Sequence, residues 1–404
     1  MHLTESDTDT QIKNYWASRE RLIPEDFLQE LEERFPEFRD AVENSPVRAA
    51  EFLCHLDLEP ARDFLSGLYR RKPRYPAEAM VRSLSLMDLK RMKFRTELKR
   101  DLESNPEEAR MLGFPVEEGR VVVTGDKNLW HFDKIRMGGK WDDLFRLLRD
   151  AVVKEAASVG LTLGEKTLED ATPIEALDGD SEAEYSGHYE VKGYKLDTVT
   201  DLEEAVPLDK RVTGINDDEA KNLQPQMSEM KEAGIDVKDH WIDGGYADYV
   251  NLAWMGVNGI TAHYHLHENW VRNEKGSIDN ILRLYQEHWK DNGFKQRAGM
   301  GYILSFLLEK ERVEEVGAFF RNQAMDRYAS DPVSFLDDYH KRSRQEGSHG
   351  YWKEHLDLER RLRTKGLVNV DRYLTRNLCA VLAVSLCRLQ HGIKENLTSV
   401  AYLT

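Results

Sequence analysis

The chain has 404 residues, a formal net charge of −16, 40% hydrophobic and 32% charged residues. That balance suits two or three globular domains with a substantial core and excludes a disordered chain. No apolar run reaches the ~18 to 20 residues a bilayer span needs, and the polar start "MHLTESDTDTQIKNYW" lacks the basic-then-apolar order of a secretory signal, so a cytoplasmic protein is expected and a membrane protein excluded. Cys54, Cys379 and Cys387 form no Cys-x-x-Cys pair. This argues against a disulfide framework or a zinc knuckle and places them in the core.

In chain order, residues 1 to about 68 are acidic, and from Pro24 to about Ala157 the pattern is mostly helical. Phe27, Leu28, Leu31 and Phe35 recur at helical steps, as do Met80, Leu84, Met87 and Met92. The stretch from Tyr69 to Arg100 holds eleven Lys or Arg against three Asp or Glu. An acidic chain binds nucleic acid poorly overall, so this basic band is either a solvated helix face or the element that meets DNA. The tryptophans Trp130, Trp141, Trp241, Trp254 and Trp352 are expected in core or interface. "TLGEKTLEDATPIEAL" then reads as a strand through Thr167 to Asp170, which Pro173 should stop. "GHYEVKGYKLDTVTD" and "AVPLDKRVTGIND" read as two adjacent strands. Next come a helix capped near Asp217 and ended at Gly234, a short strand in "VKDHWIDGGYAD", a further helix and the strand "GITAHYHLH". From Gly276 to Asp338, with Trp289 among the core residues, and again to the apolar "LCAVLAVSLCRLQ", the pattern is helical.

Three carboxylates stand out by position: Asp170 at the end of the first strand, Asp243 beside Gly244 and Gly245 at the end of the fourth, and Glu346 in a later helix. Phosphodiester chemistry without a covalent intermediate uses two hard cations about 3.5 to 4 Å apart, and carboxylate oxygens suit Mg²⁺ or Mn²⁺. In "YHKRSRQEGSHGYWK", Tyr339, Arg342, Glu346 and Lys353 fall at steps of 3, 4 and 7, which predicts one stripe of one helix. There Arg342 and Lys353 could hold the phosphates flanking a cleaved bond, and Tyr339 could offer its hydroxyl or its ring. A solvent-exposed helix with an i, i+4 Arg–Glu pair would show the same residues.

Taken together, Tyr339-x2-Arg342-x3-Glu346-x6-Lys353, "LEDATPIEA", "WIDGGYADY" and the strand pair "KGYKLDTVTD" and "KRVTGINDDEA" resemble the DDE transposases of insertion sequences, in the branch with the Tyr-Arg-Glu-Lys signature. The resemblance covers roughly residues 75 to 392. It implies an α/β fold: a ribonuclease-H-like mixed sheet with flanking helices, an N-terminal all-helical region, and a helical insertion before the last catalytic helix. The division it implies is 1–157 for DNA-end binding, 158–275 for the first part of the catalytic core, 276–335 for the insertion and 336–404 for the C-terminal catalytic helices. The resemblance further implies that Asp170, Asp243 and Glu346 hold two Mg²⁺ or Mn²⁺ ions per active site. Tyr339, Arg342 and Lys353 would handle DNA, and the chain would cleave transposon ends and transfer the strand into target DNA. Partners implied are double-stranded DNA, both terminal inverted repeats and target, and a second copy of the chain in the DNA complex. Ala171 stands where Ser is common after the first aspartate, and Ser343 where hairpin-forming relatives can carry an aromatic residue.

Two other readings are compatible with the sequence. One is a non-catalytic DNA-binding protein descended from a transposase. The other is a zinc-dependent hydrolase built on His263, His265 and His267, which alternate in "AHYHLHENW" and would share one face of a strand.

Overall fold

The computed structural model describes residues 49–267, 269–289, 299–358, 362–400 and 403, apart from the side chains of Trp289, Gln345 and Glu346. The helix expected around Phe27 to Phe35, the acidic segment before residue 49 and the core role of Trp289 lie outside the described residues. The chain divides into two compact units, one of Met1–Thr162, Ile174–Tyr194 and His349–Thr404, the other of Leu163–Pro173 and Lys195–Ser348.

In the first unit, helices α1 (Ala49–Cys54), α2 (Arg62–Gly67), α3 (Ala77–Leu89), α4 (Arg95–Ser104) and α5 (Pro106–Met111) precede a small hairpin of β1 (Val116–Glu117) and β2 (Arg120–Val121). Among the described residues up to 157 the mostly helical expectation holds, with this hairpin as the exception. Glu118 and Gly119 both take positive φ, 50° and 75°, the backbone a two-residue hairpin turn requires. Helix α6 (Asp126–His131), a π-helical turn at Phe132–Met137 and helix α7 (Trp141–Ser158) follow. Helix α7 packs on the last helix, α15 (Leu367–Gln390), whose residues from Tyr373 to Leu389 are all buried. The apolar run that includes Cys379 and Cys387 is therefore core, and all three cysteines are buried and free.

Helix α3 is buried on every side, so Met80, Leu84 and Met87 pack as expected while Arg82 is buried with them. Its guanidinium meets Glu78 and donates to Leu56 O at 2.6 Å. Deeper still, Arg376 donates to both oxygens of Asp88 at 2.9 and 2.7 Å and reaches Asp133 at 3.3 Å. Buried ions are tolerated only when paired in this way.

In the second unit the sheet is built from β3 (Lys166–Glu175), β5 (Val191–Asp201), β6 (Pro207–Gly214), β7 (Asp239–Trp241) and β8 (Thr261–His263); β3 and β5 begin or end in the first unit. Strands β3, β7 and β8 are mutually parallel neighbours, β5 lies on the other side of β3, and β6 pairs with β5. A short strand, β4 (Glu184–Ser186), pairs antiparallel with the start of β5 within the first unit. This is the mixed sheet with flanking helices of a ribonuclease-H-like core.

Strand β3 runs through Pro173 rather than stopping there. Its pairing with β7 spans only Lys166 to Leu168. On that side the later part of the strand asks for no ladder donor, so a residue without an N–H is tolerated.

Helix α8 (Leu223–Glu232) ends as the sequence predicts, with Gly234 at φ 80° and Ile235 N–H donating back to Met230 O at 2.9 Å. Asp248 caps α9 (Tyr249–Val257) by accepting from Asn251 N–H at 2.7 Å. Beyond β8, helices α10 (Ile278–Trp289), α11 (Met300–Glu309) and α12 (Val313–Ser330) bury Ile281, Leu284, Leu307 and Val316 around Ala253 of α9. Helix α13 (Pro332–His340) then leads to α14 (Ser343–His355), which enters the first unit at His349. Among the described residues no helix is long and apolar enough to cross a membrane.

Candidate active site

Parallel pairing sets the site's frame. Leu168 of β3 stands opposite Trp241 of β7, so Asp170 and Asp243 each lie two residues further along adjacent strands. Strands in a sheet are about 4.8 Å apart, and residues two apart share a face, so the two carboxylates come to the same edge. Asp243 leaves the strand with φ −73° and ψ 160° and accepts from Gly244 N–H at 2.7 Å.

A cation lies between them. Arg342 Nη2 donates to Asp170 Oδ1 at 3.2 Å, Nη1 stands 3.7 Å from Asp243 Oδ1, and Nη1 also reaches the Tyr339 hydroxyl at 3.4 Å. The segment carrying Arg342 is fastened to the sheet from both sides. Trp241 Nε1–H donates to Asp338 O at 2.6 Å, and Arg344 donates to Glu203 at 2.6 Å and to Leu202 O at 3.2 Å. Burial raises the Asp170 carboxyl to about 6, with Arg342 opposing the rise and Asp243 adding to it. Burial works against the Arg342 charge, yet the two aspartates and Tyr339 hold its pKa above the ordinary value.

The single helical stripe is corrected. Tyr339 closes α13, Arg342 sits in the turn between helices, and Glu346 and Lys353 belong to α14. Lys341, Arg342 and Arg344 N–H groups donate to carbonyls three residues back, at 3.2, 3.0 and 3.2 Å. This tightening breaks the 3.6-residue phase on which the stripe depends. Glu346 therefore lies in the first turns of α14 after Arg342, with its side chain outside the described residues. Lys353 lies on the part of α14 that belongs to the first unit and is half-buried.

The sequence did not reveal a layer of buried polar groups on the opposite face of β3. Glu169 is fully buried, and its Oε2 lies 2.9 Å from His240 Nε2, whose Nδ1 is 2.8 Å from Thr167 Oγ1. Burial, then the nearby Asp209 and Asp170, push the Glu169 carboxyl well up, while burial drives His240 down to about 3. His240 is thus neutral near pH 7, and Glu169 is pushed toward its protonated form. Asp197, also fully buried and raised by burial and by Glu169, accepts from Asn222 Nδ2 at 2.9 Å. The signal available was alternation: next to an inward Asp170, Glu169 has to face the other side of the sheet.

The histidines do not share one strand face. Strand β8 ends at His263, opposite the end of β7 at Trp241, so His265 and His267 lie past the ladder. His263 stacks on Trp241 at 4.1 Å between centroids and hydrogen-bonds Asp239 at 2.8 Å. The His265 ring packs on Tyr339 at 5.4 Å, and His267 on His265 at 6.0 Å. Among the described residues no three His, Cys, Asp or Glu side chains gather as a metal site requires. That set excludes the Glu346 carboxylate.

Asp170 and Asp243 do fit hard cations. They offer oxygen donors only, and both inner oxygens already turn toward one positive group, which makes the space between them a place for positive charge. No curated protein and no solved structure matches the chain. A family model described as the transposase DDE domain matches residues 164–382, more than half the chain and the whole of the site just described. The chain thus belongs to the transposase DDE domain family.

Proposed function

We propose that this protein is a catalytic transposase of the insertion-sequence branch with the Tyr-Arg-Glu-Lys signature, cleaving DNA at transposon ends and joining the freed 3′-hydroxyl to target DNA. The observation that carries this is the Arg342 guanidinium held between Asp170 and Asp243 within the segment matched by the transposase model. Asp170, Asp243 and, from α14, Glu346 would hold Mg²⁺ or Mn²⁺, two per site. When bound, such ions activate the attacking oxygen and stabilise the leaving one.

The chain's own residues supply the rest. Arg342, which sits on the two carboxylates here, has a bidentate fork that would suit the phosphate beside the scissile bond once the carboxylates held metal. Tyr339 stands within hydrogen-bond reach of that fork and steadies it. Lys353 adds a point charge toward the DNA strand further along the helix. Asp170 must be ionised to serve, and its raised carboxyl makes cleavage fall toward acid pH. Joining two ends calls for two copies of the chain, which makes a dimer on DNA part of this reading.

The test is a supercoiled plasmid carrying the DNA that flanks this gene, incubated with purified protein and Mg²⁺ and sequenced for joined products. Joined 3′ ends at one defined position, lost in Arg342→Ala, support the reading. Binding without nicking under every metal condition would instead identify a non-catalytic descendant.

A further inference from the structure

Of the tryptophans expected in core or interface, Trp130 is 49% exposed, whereas Trp241 is 2% exposed and belongs to the row of residues just below the two aspartates. Leu168 of β3, Trp241 of β7 and His263 of β8 stand opposite one another in register. Residues two apart on a strand share a face, so Asp170 and Asp243 lie in the next row on the same side. The indole packs with Leu168 and Leu202 and stacks on the His263 imidazole, 4.1 Å between centroids and 6° from parallel. Asp239, two residues before Trp241, hydrogen-bonds that imidazole at 2.8 Å and fixes its plane. All of these residues lie within the second unit.

Filling this row does not call for tryptophan. Phe would also bury an aromatic ring; what Trp adds is one donor, and a buried indole N–H needs a partner. That partner is Asp338 O, at 2.6 Å, the carbonyl just before Tyr339 and four residues before Arg342. The tie on the other side of Arg342 is at the surface. The Arg344 and Glu203 side chains are 53% and 56% exposed, and exposed pairs of this kind contribute little. Arg344 also donates to Leu202 O, at a longer 3.2 Å and from the same exposed side chain. The tie least open to water is therefore the one from Trp241.

We infer that Trp241 is a positioning residue: with its ring held flat on His263, the indole N–H fixes the turn that follows Tyr339 and so seats the Arg342 guanidinium between Asp170 and Asp243. It acts through Arg342, not on the reacting atoms. Loosening this tie lets the guanidinium leave, with two consequences. A metal ion meets less competition for the two carboxylates, and the arginine is less well placed for a phosphate. The seating stands on contacts within one unit; its consequence for metal ions and DNA rests on the transposase reading.

The experiment compares the full-length parent with Trp241→Phe, which keeps an aromatic ring and removes the donor, and with His263→Ala, which keeps the donor and removes the ring it stacks on. Circular dichroism checks that each is folded. Hydrogen–deuterium exchange, without metal or DNA, should be about fivefold faster or more across residues 336–344 of Trp241→Phe and unchanged in β5 and α9. His263→Ala should shift the same residues the same way by a smaller factor. Manganese binding at pH 9, read by electron paramagnetic resonance, should be about threefold tighter or more in Trp241→Phe than in the parent. Added to Arg342→Gln, the same substitution should change it by less than about twofold, because the guanidinium through which it acts is gone. Nicking should lose about tenfold in kcat, with KM within about twofold of the parent's. Parent-like exchange across residues 336–344 in folded Trp241→Phe would overturn the inference. So would faster exchange spread evenly over the sheet, which marks lost packing, or an equal manganese effect with and without Arg342. A parent that neither binds manganese nor nicks DNA would remove the transposase reading, and the exchange result would still decide the seating of Arg342.

Discussion

Replacing Arg342 by Gln removes the positive charge that lies 3.2 Å from Asp170 Oδ1 and 3.7 Å from Asp243 Oδ1. In the parent, burial raises Asp170 from 3.8 to about 6 despite that charge. For a carboxyl whose folded pKa exceeds its unfolded value, the folded state binds more protons in between, so stability is highest below the unfolded pKa and falls as pH rises to the folded one. The fall due to Asp170 is about 3 kcal/mol between pH 4 and 6, at 1.36 kcal/mol per pK unit. An adjacent guanidinium lowers a carboxyl by about 1 to 3 units, so the variant's Asp170 should titrate that much higher and the stability loss should extend toward pH 7 to 9. Urea denaturation at half-unit pH steps reads this directly, with Asp170→Asn in the same background as the control that flattens the limb. Manganese binding followed by electron paramagnetic resonance adds a second reading. In the variant the metal competes with a proton instead of a guanidinium, so binding is weaker than the parent's at pH 6 and tighter at pH 9. Stability and metal-binding profiles that coincide with the parent's would refute the idea that Arg342 is the resident cation of the two aspartates.

Glu169→Gln should leave the protein folded, active and within about 1 kcal/mol of parental stability by urea denaturation. Its amide mimics the protonated carboxyl that burial favours and can still donate to His240 Nε2. Glu169→Leu should cost about 1 to 3 kcal/mol, because it leaves His240 Nε2 buried without its partner, and a variant as stable as the parent would contradict the account of this layer. Arg376→Ala removes the guanidinium that neutralises Asp88 and shares Asp133 with Arg95 in the interior of the first unit, and should cost about 3 to 5 kcal/mol in the same assay. A loss below 1 kcal/mol would show that the network is solvated.

Much of this architecture could be read from residue order because local rules and tertiary structure agree. The alternating strands of the core, the helix stopped by Gly234 and the apolar α15 are cases where periodicity, a positive-φ glycine and burial all point one way. The nearness of Asp170, inside β3, to Asp243, just past β7, was legible for the same reason: the apolar residues of these strands fix the register. Failures arose where a neighbour decides. Strand β8 stops at His263 because its partner stops at Trp241, although "AHYHLH" goes on alternating. Strand β3 passes Pro173 because its ladder with β7 ends at Leu168, so on that side no donor is asked of it. The α13–α14 junction carries no glycine or proline; its break comes from docking through Asp338 and Arg344, which no helical pattern encodes. Glu169 and His240 went unnoticed because a charged residue on an alternating strand looks like a solvent-facing one until the sheet's second face is known to be covered.

The measurement that tests the central claim most directly is cleavage of an end-labelled duplex carrying the DNA that flanks this gene, with Mg²⁺, Mn²⁺, Ca²⁺ or EDTA. It would be run for the parent and for Asp170→Asn, Asp243→Asn and Glu346→Gln. The account predicts a nick at one defined position with Mg²⁺ or Mn²⁺ only, reduced at least a hundredfold in each variant while duplex binding stays within about twofold. Cleavage by any of the three variants within tenfold of the parent would contradict it.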